Sequence, residues 1–242
     1  MAHFYLNELI DAAAVGDRVS IDGAEARHAV TVSRLAVGET VSIGNGRGLI
    51  ATGQVVTAEH TELAIEVAEV RDVPRPGPAI VLAQALAKGD RDELAVQVST
   101  ELGVDAVIPW TAARSISRWE GNKVAKGHDR WSAITREATK QSIRAWLPDV
   151  LDLVSTNQLA KLAAHTRVLV LEPTAEEALT AVELDDRDVV LVVGPEGGIA
   201  PHELDALVAA GASLVRLGDG VLRTSTAGPA AIAVLSAKLA RW

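Results

Sequence analysis

The sequence predicts a chain in two parts: a small β-rich unit and a larger α/β domain whose sheet is mostly parallel. Residues 1–72 alternate short β-prone runs with turns, whereas residues 79–242 alternate aliphatic strands with helical segments. A proline-rich stretch, residues 73–78, interrupts both patterns. Strands that are buried on both faces and separated by helices are typical of parallel sheets. We therefore expect two domains joined by a linker at residues 73–78.

The β-rich unit is predicted from short β-prone runs and one strong turn signal. Asn45-Gly46 favours a hairpin because both residue types tolerate positive φ angles. The linker contains three prolines in six residues, a composition that excludes both a helix and a central strand. The β-prone runs read VSIDG, VGETVSIGNGRG, IATGQVV and TELAIEVAEV.

The α/β domain is predicted from aliphatic runs that alternate with helical patterns. Helices are expected over Arg91–Leu102, around Trp131–Ile143 and from about Thr226 onward. The strands of the expected sheet read AIVLAQAL, AVIPW, RVLVLEP, DVVLVVGPE and LVRLG.

The composition excludes several kinds of chemistry. The chain of 242 residues has no cysteine, so it has no disulfide, no thiolate zinc site and no cysteine nucleophile. We expect no metal. The N-terminus lacks a basic stretch followed by an apolar core, and no apolar run reaches the roughly 20 residues of a membrane span. The sequence therefore predicts a cytoplasmic protein without a membrane partner.

The charge of the chain is unevenly distributed. Residues 114–144 hold eight basic and three acidic residues, a net +5, so the rest of a chain of total charge −9 carries −14. Such a basic segment is either a solvated helix face or a localised anion-binding surface. The basic residues are Arg114, Arg118, Lys123, Lys126, Arg130, Arg136, Lys140 and Arg144.

Three predicted strand ends carry residues suited to a ligand pocket. They are Leu171-Glu172-Pro173, Gly194–Gly198 and Leu217–Gly220. In parallel α/β sheets, ligands bind beyond the carboxyl ends of the strands. The stretch GPEGG has neither the G-x-G-x-x-G spacing of dinucleotide-binding loops nor the Lys-Ser/Thr of a Walker loop. The three strand ends are therefore the expected walls of a pocket that does not hold nucleotide phosphates.

Glu196 is a further argument against a phosphate ligand. A carboxylate there would repel phosphate, whereas glycines allow backbone groups to approach a ribose and a base closely. S-adenosylmethionine carries adenosine and a positive charge without phosphate, so it suits the loop. The alternative is a tight strand-to-helix connection in which Glu196 is merely exposed.

The stretch Gly220–Ala227 places an arginine and three hydroxyls before the last helix. Ser225 or Thr226 would serve as an ordinary N-cap. Arg223 is a candidate for holding a second substrate or a phosphate, although Glu196 or Glu172 could equally be its partner.

A series of short motifs runs in order along nearly the whole chain. They are His28 with Ser33-Arg34-Leu35 and Val37-Gly38-Glu39, Gln84-Ala85-Leu86-Ala87-Lys88-Gly89-Asp90, Thr100-Glu101-Leu102-Gly103-Val104, Arg114-Ser115, Glu137-Ala138 with Gln141 and Arg144, Gly194–Gly198, and Leu217-Gly218 with Leu222-Arg223-Thr224. Together they resemble the SPOUT-class ribosomal RNA methyltransferases that methylate N3 of a uridine in 16S ribosomal RNA. Gly220 and Ser225 depart from that pattern, which often has arginine and glutamate at these positions.

The resemblance implies a fold, a cofactor and partners. The fold would be a PUA-like N-terminal β-barrel domain followed by a SPOUT α/β domain tied in a trefoil knot, which forms a homodimer. S-adenosylmethionine would be the cofactor, and 16S ribosomal RNA within the small ribosomal subunit would be the substrate. Because cysteine-dependent routes are excluded, the chain should perform in-line transfer to nitrogen or oxygen. The alternatives are a methyltransferase of the same fold that acts on another base or a ribose hydroxyl, and a non-catalytic RNA-binding assembly factor.

The resemblance also implies roles for single residues. Arg223 would stabilise charge in the reaction, and the base is not identified. The cofactor-binding residues would be Leu171, Glu172, Pro173, Gly194, Pro195, Glu196, Gly197, Gly198, Leu217, Gly218, Leu222 and Thr224. The residues that contact substrate RNA would be Arg27, His28, Arg34, Lys88, Arg114, Arg118, Arg136 and Arg144.

Overall fold

The computed structural model describes residues 3–242, which divide into two compact units. One unit takes in the chain up to Arg75 together with Thr139–Leu147, and the other comprises Pro76–Ala138 and Pro148–Trp242. The division between Arg75 and Pro76 lies inside the stretch predicted as a linker. No sequence pattern indicated that Thr139–Leu147 belongs with the first unit.

The first unit is built around a five-stranded sheet of order β1-β3-β4-β5-β2. Strand β1 pairs parallel with β3, and all other pairs are antiparallel. The elements are β1 (His3–Leu6), β2 (Arg18–Asp22), α1 (Gly23–Thr31), β3 (Thr40–Gly44), β4 (Leu49–Ala58) and β5 (Glu62–Asp72).

The predicted hairpin joins β3 to β4. Asn45 fixes the turn because its Oδ1 accepts hydrogen bonds from the N–H groups of Arg47 and Leu49, at 2.7 and 3.1 Å. Gly46 takes a φ of 70°, a conformation that glycine adopts without strain. Ile43 on β3 and Ile65 on β5 are fully buried in the core of this unit.

The second unit contains a seven-stranded sheet of order β12-β10-β11-β6-β7-β8, with β9 paired to β7. Every pair in it is parallel, as the sequence predicted. The strands are β6 (Ile80–Ala85), β7 (Ala106–Thr111), β8 (Asp149–Val150), β9 (Val154–Ser155), β10 (Arg167–Leu171), β11 (Val189–Val193) and β12 (Ser213–Val215). All five residues of β11 are buried, which explains its unbroken aliphatic sequence.

Five helices follow in the rest of the chain, and two of them start earlier than predicted. They are α2 (Arg91–Glu101), α3 (Asn122–Gln141), α4 (Thr156–Lys161), α5 (Pro201–Ala209) and α6 (Thr224–Lys238), with a short 3-10 turn at Leu162–Ala164. The expected N-cap of α6 at Ser225 or Thr226 was wrong. The capping residue is Arg223, whose backbone is extended and whose side chain makes no capping bond. None of the helices in the described part of the chain combines the length and apolar character that a membrane crossing requires.

A buried ion pair fixes the residues that follow α6. Arg241 and Asp105 are 2.9 Å apart, and their side chains are only 7% and 1% exposed. Arg241 also donates to the carbonyls of Gly103 and Pro78, and Asp105 accepts a 2.7 Å bond from the N–H of Ile80. This cluster joins the C-terminal residues to the start of β6, which holds α6 against the sheet.

Replacing Arg241 with alanine should destabilise the second unit, because it removes the 2.9 Å ion pair from the buried carboxylate of Asp105. Breaking a buried pair in this way costs about 3–5 kcal/mol. Urea unfolding followed by far-UV circular dichroism should show the loss. Arg187→Ala, which breaks the surface pair with Asp185, is the control and should leave the midpoint nearly unchanged. Equal midpoints for the two variants would contradict the assignment.

Candidate active site

The carboxyl ends of three neighbouring strands surround a cavity in the second unit. The strands are β10, β11 and β12, and the cavity volume is about 380 Å³. Small-molecule sites generally fall between about 300 and 1,000 Å³. The start of α6 completes the wall. Position and size therefore suit a small ligand bound beyond the strand ends, as the sequence predicted.

Nearly all the residues expected to bind a cofactor line this cavity. Gly197 does not: a Cβ built on it would meet the Cβ of Arg114 at 3.3 Å, so the space beside this glycine is filled by Arg114. The expected residues that do line the cavity are Leu171, Glu172, Pro173, Gly194, Pro195, Glu196, Gly198, Leu217, Gly218, Leu222 and Thr224, together with Arg223.

The hydroxyl of Thr224 connects three parts of the site. It donates to the carbonyl of Gly194 at 2.8 Å and accepts from Nε2 of Gln84 at 2.9 Å. Gln84 is completely buried near the end of β6. Thr224 therefore ties the first residue of α6 to the ends of both β11 and β6, and this tertiary role explains a hydroxyl at this position better than helix capping does.

Glu196 is neither free nor merely exposed. Its Oε1 accepts a 2.8 Å bond from the guanidinium of Arg91 and a 3.0 Å bond from the N–H of Lys88. Burial by itself raises the pKa of Glu196, but hydrogen bonds from its own backbone, from Arg91 and from Lys88 outweigh burial and hold the pKa below its ordinary value. The carboxylate therefore fastens the GPEGG loop to the loop before α2, and Arg91 neutralises the negative charge that the sequence argument assigned to the pocket.

Arg223 carries an unpaired positive charge at the edge of the cavity. Its backbone caps α6 with φ −65° and ψ 152°, and its side chain is exposed. Within residues 3–242 the guanidinium forms no hydrogen bond or ion pair. Neither Glu196 nor Glu172, the two carboxylates that the sequence offered as its partners, binds it. Glu196 binds Arg91 instead, and Glu172 accepts from Thr174. The group is thus available to a ligand.

The residues expected to contact RNA differ in how free they are. On the first unit, Arg27 and His28 on α1 and Arg34 after it are exposed, and within the described residues their side chains have no partner. Arg34 takes a φ of 57°, which is uncommon for a residue with a side chain. Arg144 also belongs to the first unit and is half-buried.

On the second unit, Lys88 alone among the expected RNA contacts combines an exposed position with a side chain that has no partner in residues 3–242. Arg114 donates to the carbonyl of Gly197 at 3.1 Å, and Arg118 donates to those of Ala112 and Ala113 at 3.1 Å. Arg136 is half-buried. The structure therefore uses Arg114 and Arg118 to hold loops.

Much of the remaining basic segment is also paired. Arg130 binds Glu93 at 2.8 Å, and in the first unit Lys140 binds Glu25 at 3.1 Å. The net +5 of the segment is thus partly neutralised by carboxylates from other parts of the chain. Lys123 and Lys126 on α3 stay exposed.

Among the polar residues that line or support the site, sequence reasoning did not assign Arg91, Arg216 or Gln84 to it. Gln84 and Arg91 lie in or after β6, a strand end that was not predicted to form a wall of the pocket. Gln84 and its neighbours belonged to a motif of the resemblance, but nothing in their spacing indicated contact with Thr224 or Glu196. His, Asp and Glu side chains of residues 3–242 form no cluster suited to a metal ion.

The Arg91–Glu196 contact should stabilise the fold in a pH-dependent way. A carboxyl whose pKa is lower in the folded chain stabilises the fold above its unfolded-state pKa, and this contribution disappears as the pH falls through the folded-state pKa. Glu196→Gln should therefore lower the free energy of unfolding at neutral pH, by at most about 1 kcal/mol for so exposed a pair, and the difference should shrink as the pH falls through the folded-state pKa. Urea unfolding at neutral pH and over a series of acidic pH values measures this difference in the free energy of unfolding.

The control for this experiment is Glu176→Gln, which removes an exposed carboxylate outside the cavity lining. It should change stability little at neutral pH. If the free energy of unfolding of Glu196→Gln stays equally far below that of wild type in acid, the ionic contact is contradicted.

Comparison with known proteins identifies both parts of the chain. The family model for an RNA methyltransferase domain matches residues 74–236, and that for an RNA methyltransferase PUA domain matches residues 21–68. The chain is 42% identical to the ribosomal RNA small subunit methyltransferase E of Mycobacterium tuberculosis over 99% of this chain and 92% of that one. It is 31% identical to the Bacillus subtilis protein of the same name, over 90% and 89% of the two chains.

Solved structures are similar over nearly the whole length. The ribosomal RNA small subunit methyltransferase E of Neisseria gonorrhoeae, bound to S-adenosylmethionine, superposes with a TM-score of 0.89 at 27% identity over 98% of both chains. A putative methyltransferase of Legionella pneumophila, also in complex with S-adenosylmethionine, gives 0.87 at 28% identity over 98% of this chain and 97% of that one. The predicted fold class, a SPOUT-type α/β domain preceded by a PUA-like domain, is confirmed. The chain belongs to the ribosomal RNA small subunit methyltransferase E family.

Proposed function

We propose that this chain transfers a methyl group from S-adenosylmethionine to N3 of a uridine in 16S ribosomal RNA, acting in the cytoplasm as a homodimer on the small ribosomal subunit. The observation that carries the proposal is a cavity at the ends of β10, β11 and β12 with the unpaired guanidinium of Arg223 at its edge. Membership of the family supports it. The β-rich residues 1–72 would bind RNA, and residues 73–78 would link them to the second domain. Residues 79–242 would bind the cofactor and carry out the methyl transfer.

The residues around the cavity fit S-adenosylmethionine. A Cβ added to Gly218 or Gly220 would meet no atom within 4 Å, so both glycines leave open space on the wall. Gly218 has a φ of 128° and Gly198 a φ of 71°, conformations that side chains disfavour. The apolar side chains of Leu171, Val193 and Leu222 line the same wall. Backbone groups between small and apolar residues suit the base and ribose of an adenosine.

The cofactor would be held by the lining residues that the sequence singled out, with Thr224 and Glu196 keeping their loops in place. When bound, S-adenosylmethionine supplies a methyl group on a positively charged sulfur, an electrophile that needs no further activation. The task left to the chain is to align the acceptor and to favour its anionic form. N3 of uracil accepts a methyl group once its proton has left, and the guanidinium of Arg223 suits the resulting negative charge.

The RNA contacts would come first from the side chains that are free. These are Arg27, His28 and Arg34 on the first unit and Lys88 on the second. Phosphate contacts of this kind position an RNA without reading its sequence. Arg114, Arg118, Arg136 and Arg144 remain proposed contacts, but Arg114 and Arg118 would have to share bonds that they already make to backbone carbonyls.

The position of methylation can be tested directly. Small ribosomal subunits and naked 16S ribosomal RNA, both from a strain that lacks the modification, are incubated with the chain and methyl-labelled S-adenosylmethionine. Nucleoside mass spectrometry should find the label in 3-methyluridine, with the assembled subunit the better substrate. Label in another base or in a ribose would reject N3, and no label in either RNA would reject turnover.

Arg223→Ala should abolish methyl transfer while preserving the affinity for S-adenosylmethionine. Loss of one group that stabilises developing charge costs about 10²- to 10³-fold in kcat. Single-turnover rates and calorimetry measure the two effects separately. Lys161→Ala, which removes an exposed cation outside the cavity, is the control and should behave as wild type. Equal losses of rate and cofactor affinity in Arg223→Ala would assign this arginine to cofactor binding instead.

A further inference from the structure

The charged side chains on the cavity wall are not equally paired. Five of them line it: Arg91, Glu172, Glu196, Arg216 and Arg223. Arg91 and Glu196 bind each other at 2.8 Å, and Arg216 binds Asp219 at 2.9 Å. Among the described residues, no cation pairs with Glu172 and no anion pairs with Arg223. The cavity therefore presents one uncompensated negative group and one uncompensated positive group.

The carboxylate of Glu172 is held in place while one of its oxygens stays open. The backbone N–H of Glu172 donates to Val215 on β12 at 2.9 Å, which fixes the residue directly after β10. Oε1 accepts from the N–H and the hydroxyl of Thr174, at 3.2 and 2.9 Å. Within residues 3–242 the other oxygen, Oε2, has no partner. A half-buried carboxylate with a free oxygen on a cavity wall favours a ligand that brings a positive charge or a donor.

The chemistry of the reaction narrows the role of this carboxylate. A carboxylate is a much weaker base than a uracil anion, so removing the N3 proton does not suit Glu172 well. S-adenosylmethionine, by contrast, carries two cationic groups, its sulfonium and its ammonium. An ion pair with either group would be strengthened by the restricted access of water.

We propose that Glu172 is the counter-charge to a cationic group of the bound cofactor. This inference rests on the proposed function. It adds to that function a residue that makes the site bind S-adenosylmethionine more tightly than a similar adenosine ligand without a positive charge. If the partner is the sulfonium, the positive charge that Glu172 binds disappears when the methyl group leaves, because the product S-adenosylhomocysteine has a neutral sulfur. Glu172 would then also ease product release.

The test is Glu172→Gln, because glutamine keeps the shape of the side chain and its amide oxygen can still accept both bonds from Thr174. Calorimetry measures the affinity of wild type and variant for three ligands: S-adenosylmethionine, S-adenosylhomocysteine, and 5′-methylthioadenosine, which has neither cation. The variant should bind S-adenosylmethionine about tenfold more weakly or worse, as the loss of a charge-assisted bond implies. Its affinity for 5′-methylthioadenosine should be unchanged.

The product, S-adenosylhomocysteine, identifies which cation is bound. Wild-type affinity of the variant for it would show that Glu172 binds the sulfonium, and a loss equal to that for S-adenosylmethionine would show that it binds the ammonium. Equal weakening of all three ligands, or of none, overturns the inference. Glu176→Gln removes the same charge four positions along, outside the cavity lining, and should leave all three affinities unchanged. If the wild type binds none of the three ligands, the proposed function itself is rejected. Thermal unfolding curves that match that of the wild type would show that both variants fold.

Discussion

The arrangement of the site depends on one hydroxyl, that of Thr224. Three separate stretches of chain are joined beside the cavity: the end of β6, the end of β11 and the start of α6. The parallel sheet brings the first two side by side because β11 pairs with β6. The bonds of Thr224 to Gly194 and Gln84 then join the helix to both. Without them the half-buried carbonyl of Gly194 would lose this donor, and the buried amide of Gln84 would donate only to the carbonyl of Ala85 at 3.1 Å. Each buried polar group left without a partner costs about 1–3 kcal/mol.

The electrostatics of the cavity follow from which charges the fold itself uses. Glu196 and Arg91 neutralise each other in fastening two loops together, so neither presents a full charge to a ligand. Arg223 caps the N-terminus of α6, and within the described residues its guanidinium forms no ion pair. Oε2 of Glu172 likewise accepts no hydrogen bond within these residues. A site that must stabilise a developing anion next to a cationic donor needs free charges of both signs. Pairing within the fold determines which side chains supply them.

The sequence predicted the parallel sheet, the hairpin and the pocket at three strand ends, because each depends on local patterns. Aliphatic runs such as VVLVV indicate strands buried on both faces, and Asn45-Gly46 indicates a turn. What the sequence could not show are bonds between distant residues. The contact of Glu196 with Arg91 spans 105 positions and that of Gln84 with Thr224 spans 140. A single sequence carries no periodic signal for such pairs. It therefore gave no sign that Glu196 binds Arg91 or that Thr224 bonds to both Gly194 and Gln84. A trefoil knot is likewise outside the reach of local patterns, and only the resemblance implied one.

The acidic charge of the chain and its proposed RNA substrate are compatible because recognition acts at short range. At physiological salt, charges further apart than about 8 Å are largely screened, so a phosphate near α1 responds to Arg27, His28 and Arg34 and little to the total of −9. The same screening removes most long-range attraction, so cations that lie close to the RNA must position it. A chain with a net charge of −9 gains little from the electrostatic binding that any RNA could provide. We propose that its selectivity comes from shape, which an assembled ribosomal subunit offers and a flexible naked RNA does not.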